Sequence, residues 1–176
     1  MESVPYGRTS SYPDSAPCEI RKYNQCENAF VKPRILYHGS STGGIEILEP
    51  MNRSHPLIEP DAPPSVYASD DPGYSAGFGF PWGTGDGFAL RFTKTTSEQW
   101  RPILEVPKSE EYRIDQPVYV YAVPSDSFKL LVHVQPGEHN YRSLVSVKPL
   151  YVERYVSVRQ AMEQNNGIVR VYEPEL

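Results

Sequence analysis

The sequence predicts an α+β fold, mostly β: two sheets in a split sandwich around a central cleft, with few short helices. Three observations predict it. Val118-Tyr119-Val120-Tyr121-Ala122-Val123 is dense in β-branched and aromatic residues, the side chains that fit a pleated, half-buried surface. Shorter runs of the same kind recur along the chain. Irregular segments rather than long helices separate them, which argues against a doubly wound parallel sheet. The chain also holds 13 tyrosines and 18 prolines. Tyrosine rings suit half-buried strands and ligand-facing walls, and prolines break the connections between them.

At 176 residues the chain has the length of one domain with a sizeable core. Residues 1–33 mix Ser, Pro, Tyr, Asn and charges without a period and read as an irregular N-terminal extension. Residues 34–176 form the single domain. Its first strand is the apolar run Ile35 to Tyr37, ending at His38-Gly39-Ser40-Ser41. Ser41 to Gly44 loops into Ile45–Leu48, and Pro56, Pro60, Pro63 and Pro64 make 51–64 a surface loop that holds His55. Ser65 to Ser69 is the second strand. Asp70 is the expected cap of a short helix with Pro72 in its first turn, carrying Tyr74, Ser75, Ala76 and Phe78 and stopping at Gly79 or Pro81. A glycine turn over 83–87 leads to a strand over Phe88–Phe92. The charged stretch 93–116 reads as irregular, tied down by Trp100 and Ile103-Leu104. Further strands are expected over Val118–Val123, Phe128–Val134, Tyr141–Val147 and Ile168–Tyr172. The chain is extended over Pro149–Val158, and a helical turn at Arg159–Gln164 ends at Asn166-Gly167.

The net charge of -5 lacks the excess of Lys and Arg by which a nonspecific nucleic-acid binder displaces counterions. No apolar run reaches membrane-spanning length, so no membrane partner is expected. The N-terminus lacks the basic and apolar regions of a secretion signal. Cys18 and Cys26 make neither a metal framework nor a disulfide scaffold, which fits free thiols in a cytoplasmic protein; export, as of a toxin, stays open. His38, His55, His133 and His139 show no ligand spacing, and no metal is expected.

The polar cluster at the end of the first strand carries the chemistry. Gly39 lets a ligand approach the main chain, whose N–H and C=O can pair with a flat amide. Ser40 and Ser75 add hydroxyls, and His38 offers a donor for a sugar hydroxyl. Tyr67 and Phe78 offer two aromatic faces for a flat ring. The plainer interpretation is a strand end with a turn, and ordinary core packing for the two rings.

The ordered set Tyr37-His38-Gly39-Ser40, then Tyr67, then Ser75-Ala76 and Phe78 resembles the ADP-ribosyltransferase superfamily of the diphtheria-toxin and poly(ADP-ribose) polymerase type. In its size, its Tyr-His-Gly opening and its Tyr141-Arg142-Ser143, the chain is similar to small rifampin ADP-ribosyltransferases. The resemblance spans roughly residues 34–158. It implies an NAD-dependent mono-ADP-ribosyltransferase, a glycosyltransferase that moves ADP-ribose from NAD, its co-substrate, to an acceptor (protein, nucleic acid or small molecule). The alternative is an inactive nucleotide-binding or interaction module of the same fold.

By the resemblance His38 would hold the adenine-side ribose and Gly39 the nicotinamide carboxamide, with help from Ser40 or Ser75, while Tyr67 and Phe78 stack on the nicotinamide. The family also places a Glu at the start of a late strand, just ahead of an aromatic. Asn140 stands there in this chain. Asn140 can hydrogen-bond a ribose hydroxyl but cannot neutralise the positive charge that builds on the sugar as the glycosidic bond breaks. Glu138, two residues earlier, would share a face with Asn140 on a continuous strand. Asp126, in the turn Pro124-Ser125-Asp126-Ser127, is the other candidate carboxylate. Glu110-Glu111 reads as a solvated face.

Overall fold

The computed structural model describes residues 31–51, 63–82, 87–131 and 137–174. The elements below all belong to one compact unit, Pro33–Leu176. Most of the N-terminal extension with both cysteines, most of the 51–64 loop with His55, residues 83–86, and His133 lie outside the described residues.

Among the described residues nine strands form two sheets. The first six elements are β1 (Ile35–Ser40), β2 (Val66–Ser69), α1 (Pro72–Phe78), β3 (Ala89–Lys94), β4 (Trp100–Pro107) and a 3-10 helix (Lys108–Asp115). There follow β5 (Val118–Pro124), β6 (Lys129–Leu130), β7 (Asn140–Ser143), β8 (Tyr151–Tyr155), α2 (Val158–Gln164) and β9 (Ile168–Tyr172). One sheet runs β6-β7-β2-β1-β5-β8; the other runs β3-β4-β9, with β9 parallel to β4. The α+β class with short helices therefore holds.

Each face of the larger sheet meets its own core. On one side Ala76 of α1, Leu104 and Val106 of β4, Val118 and Val120 of β5 and Met162 of α2 pack together. On the other, Leu36, Val66, Ala68, Tyr121, Val123 and Tyr141 pack with Phe128, Leu48 and Val147. Alternation along β1 explains the division: Leu36 enters the second core while Tyr37 packs against the first.

Several elements differ from expectation. β1 does not end at Tyr37: His38, Gly39 and Ser40 are paired with Tyr121, Val120 and Tyr119 of β5. The pairing with β5, which no local reading of either segment supplies, carries the polar cluster as strand. The stretch 93–116 is not irregular. It holds β4 and the 3-10 helix, and Ile103 and Leu104 are fully buried. Pro102 hides this strand from a local reading. It is tolerated because β9 first pairs with β4 at Ile103, leaving Pro102 with a neighbour on one side only. Asp71, not Asp70, caps α1: its Oδ1 accepts the Tyr74 N–H at 2.8 Å. Of the strand expected over Tyr141–Val147, β7 ends at Ser143 and Val147 makes an isolated bridge to Leu48. α1 stops at Gly79 and β9 covers Ile168–Tyr172, as the sequence predicts.

Candidate functional site

The three segments singled out in the sequence lie on adjacent strands, in the order β7-β2-β1. Ser69 of β2 stands opposite Tyr37 of β1 on one side and Asn140 of β7 on the other.

β1 and β2 are registered only at Tyr37 opposite Ser69. Next to that point a side chain replaces the ladder: Nδ1–H of His38 donates to the Tyr67 carbonyl at 2.7 Å. A carbonyl can only accept, so Nδ1 carries the proton. The His38 ring lies toward Tyr121, centroids 6.4 Å apart.

Gly39 faces α1. A Cβ there would lie 1.6 Å from the Ser75 carbonyl oxygen. The glycine is thus required by the helix, whose Ser75 hydroxyl also donates to the Tyr37 carbonyl at 2.9 Å. The direction of the Gly39 amide follows from the ladder. The Ala122 carbonyl accepts from Leu150 N, on the side of β5 away from β1. Its opposite number Tyr37 therefore points its own N–H and C=O away from β5, and Gly39, two residues on, does the same.

A cavity of about 400 Å³ opens at this end of β1. It is lined by Gly39, Ser40, Ser41 and Thr42 and by Phe78, Phe80, Pro81 and Trp82. Ser40 Oγ accepts the Thr42 N–H at 3.0 Å and shapes the polar wall. Gly39, Ser40 and Phe78 are thereby brought together. His38, Tyr67 and Ser75 adjoin through hydrogen bonds but their side chains are not among the lining.

Asn140 and Glu138 form a second group on the α1 side of the sheet. Glu138 is buried, with 6% of its surface exposed. Its Oε1 accepts from the Tyr74 hydroxyl at 2.6 Å and from the Asn140 amide. Glu138 precedes β7, yet it does reach the Asn140 side as strand continuity would require. Burial, then the bond to Glu138, holds the Tyr74 phenol far above its ordinary range. Tyr74 also meets Phe78 edge-on at 4.9 Å, one turn along α1. On the other side His139 Nδ1 donates to Asp70 Oδ2 at 2.7 Å. Residues 138, 139 and 140 are thus each fastened to the corner between β2 and α1.

Asp126 is exposed in a turn beyond Pro124, which pairs with Ile35. Ser40 is five residues further along β1, roughly 16 Å away at about 3.3 Å per residue. Asp126 and the cavity are at opposite ends of the strand. Glu110 and Glu111 are engaged by Arg113 and Lys108 within the 3-10 helix.

No family model, curated protein or solved structure matches this chain.

Ser41 belongs to the polar cluster that the sequence singles out; sequence reasoning missed Thr42, Phe80, Pro81 and Trp82 as lining, and Tyr74 as the partner of Glu138. The i,i+4 pair Tyr74 and Phe78 was a usable signal for Tyr74. Nothing local announced Trp82. Among the described residues no group of three His, Cys, Asp or Glu side chains is disposed to hold a metal, and no helix is long and apolar enough to cross a membrane.

Proposed function

We propose that the protein is an NAD-dependent mono-ADP-ribosyltransferase that moves ADP-ribose from NAD to an acceptor and releases nicotinamide. The observation that carries this reading is the cavity beside Gly39, Ser40 and Phe78 on a sheet whose neighbouring strands hold Tyr67 and Asn140. The residues fit the nicotinamide end of the dinucleotide. A carboxamide needs a donor and an acceptor side by side, which the Gly39 amide edge supplies, and Phe78 gives an apolar surface for the ring. His38, held by the Tyr67 carbonyl, and Ser40 and Ser75 complete the proposed binding set.

Breaking the bond between nicotinamide and ribose leaves positive charge on the sugar. The proposed division of labour gives Asn140 the ribose hydroxyl and Glu138, bonded to the Asn140 amide, the compensating negative charge. Together they take the place of the single glutamate expected from the resemblance.

The second reading is a module of the same fold that binds the nucleotide without turning it over. It is favoured by Asn140 and by the burial of Glu138. Nicotinamide release from NAD, measured on wild type, His38→Ala and Phe78→Ala, separates the two. Release that falls in both variants supports the transferase. NAD binding without release supports the module, and failure to bind NAD at millimolar concentration removes both.

A further inference from the structure

The aromatic side of the cavity contains a residue with no counterpart in the sequence motifs. Trp82 lines it with Gly39, Ser40 and Phe78. Its indole is braced edge-on by Phe80, centroids 5.2 Å apart at 77°, and by Phe88, 6.1 Å apart at 80°. Even so, 42% of Trp82 is exposed. A large aromatic fixed by two neighbours, partly exposed and at the lining of a cavity, is a ready surface for a flat ligand.

Resting on the transferase reading, we propose that Trp82, rather than Tyr67, is the second aromatic wall for the nicotinamide ring, and that it recognises the positive charge of that ring. The physical reason lies in the substrate. In NAD the ring is a pyridinium cation, and tryptophan is the aromatic side chain that attracts a cation most strongly. Once the glycosidic bond breaks, the electron pair of that bond returns to the ring nitrogen and nicotinamide leaves neutral. Trp82 therefore holds the substrate more tightly than the product, which assists release.

The test uses the full chain with Trp100→Phe, so that Trp82 is the only tryptophan left of the two. Its fluorescence is titrated with NAD, with the cation 1-methylnicotinamide and with neutral nicotinamide, and Kd for all three is measured by calorimetry, which also serves the variants that lack Trp82. NAD and the cation are expected to quench. Trp82→Leu should raise Kd for both about tenfold, Trp82→Phe about threefold, and Kd for neutral nicotinamide should move less than about threefold. Circular dichroism confirms that each variant is folded. Unchanged NAD affinity in Trp82→Leu, with the loss appearing in Tyr67→Leu instead, overturns the assignment of Trp82 while leaving the transferase reading intact. Equal effects on the cation and on nicotinamide overturn the recognition of charge. Absence of NAD binding to the wild-type chain in calorimetry overturns the transferase reading, and this assignment with it.

Discussion

Gly39 shows how one residue serves packing and site at once. Its missing Cβ lets the α1 backbone approach, and a methyl group 1.6 Å from the Ser75 oxygen forces the helix off β1. Gly39→Ala should destabilise the domain by about 3 kcal/mol, within the range of overpacked cores, read by urea denaturation. A result near zero would show that α1 can retreat freely. Tyr141 behaves in the opposite way. It is fully buried, and its hydroxyl is the one buried side-chain polar atom among the described residues without a hydrogen-bond partner. Burial, then the charge of Asp70, pushes its phenol well above the ordinary range. A stranded hydroxyl costs more than none, so Tyr141→Phe should leave stability unchanged or raise it by about 1 kcal/mol in the same assay. Much of this scale is legible from the chain alone, since His38-Gly39-Ser40 and Asn140 stand out by type and spacing. The Gly39 contact is not, because it depends on a helix some 35 residues away in sequence.

At the scale of the element, α1 is the piece that connects sheet and site. It is only seven residues long, too short to be stable alone, and is fixed by its Asp71 cap and its buried face. Burial raises the Asp71 pKa above its ordinary 3.8, against the opposing bonds from the Tyr74 and Gly73 N–H groups. A carboxyl raised on folding binds its proton more tightly in the native state. Its contribution is therefore greatest in acid and is lost as pH rises from about 4 through the raised native value. Asp71→Asn keeps the accepting oxygen and removes the ionisation. Relative to wild type it should gain stability progressively as pH is raised from about 4 to about 7, whereas Asp71→Ala should lose about 1 kcal/mol. Thermal melts over that pH range check both. A wild-type chain that gained on the Asn variant with rising pH would reverse the sign argued here. Sequence alone points to Asp70 as the cap, one residue off, and the displacement has a physical cause. Asp70 and Asp71 are equally good caps by type, and only His139, 69 residues later, draws Asp70 away. β4 is hidden for a related reason: Pro102 marks a loop by local rules, and the sheet partner that excuses it arrives at Ile168.

On the scale of the whole molecule, the larger sheet is shared by two cores, and this sets how the molecule should unfold. β1 and β5 contribute to both faces: Leu36, Tyr121 and Val123 to one core, Val118 and Val120 to the other. Neither core can lose its packing without exposing strands that the other needs, so the described domain should melt in one cooperative step. Leu104→Ala in the first core and Leu36→Ala in the second, both at fully buried positions, should each cost about 2–5 kcal/mol. In both variants the transition followed by tryptophan fluorescence should coincide with that followed by far-ultraviolet circular dichroism. Trp82 and Trp100 report on the smaller-sheet side, on the loop after α1 and on β4, while the dichroism reports on all strands. If Leu36→Ala shifts the dichroism and leaves the fluorescence midpoint in place, the two cores are separate units. The cavity end of β1 would then be free to open independently of the rest. Coincident shifts instead tie the polar wall at Gly39 and Ser40 to the stability of the entire sheet, so that a lesion in either core weakens the proposed nucleotide site by lowering the folded population rather than by altering its geometry.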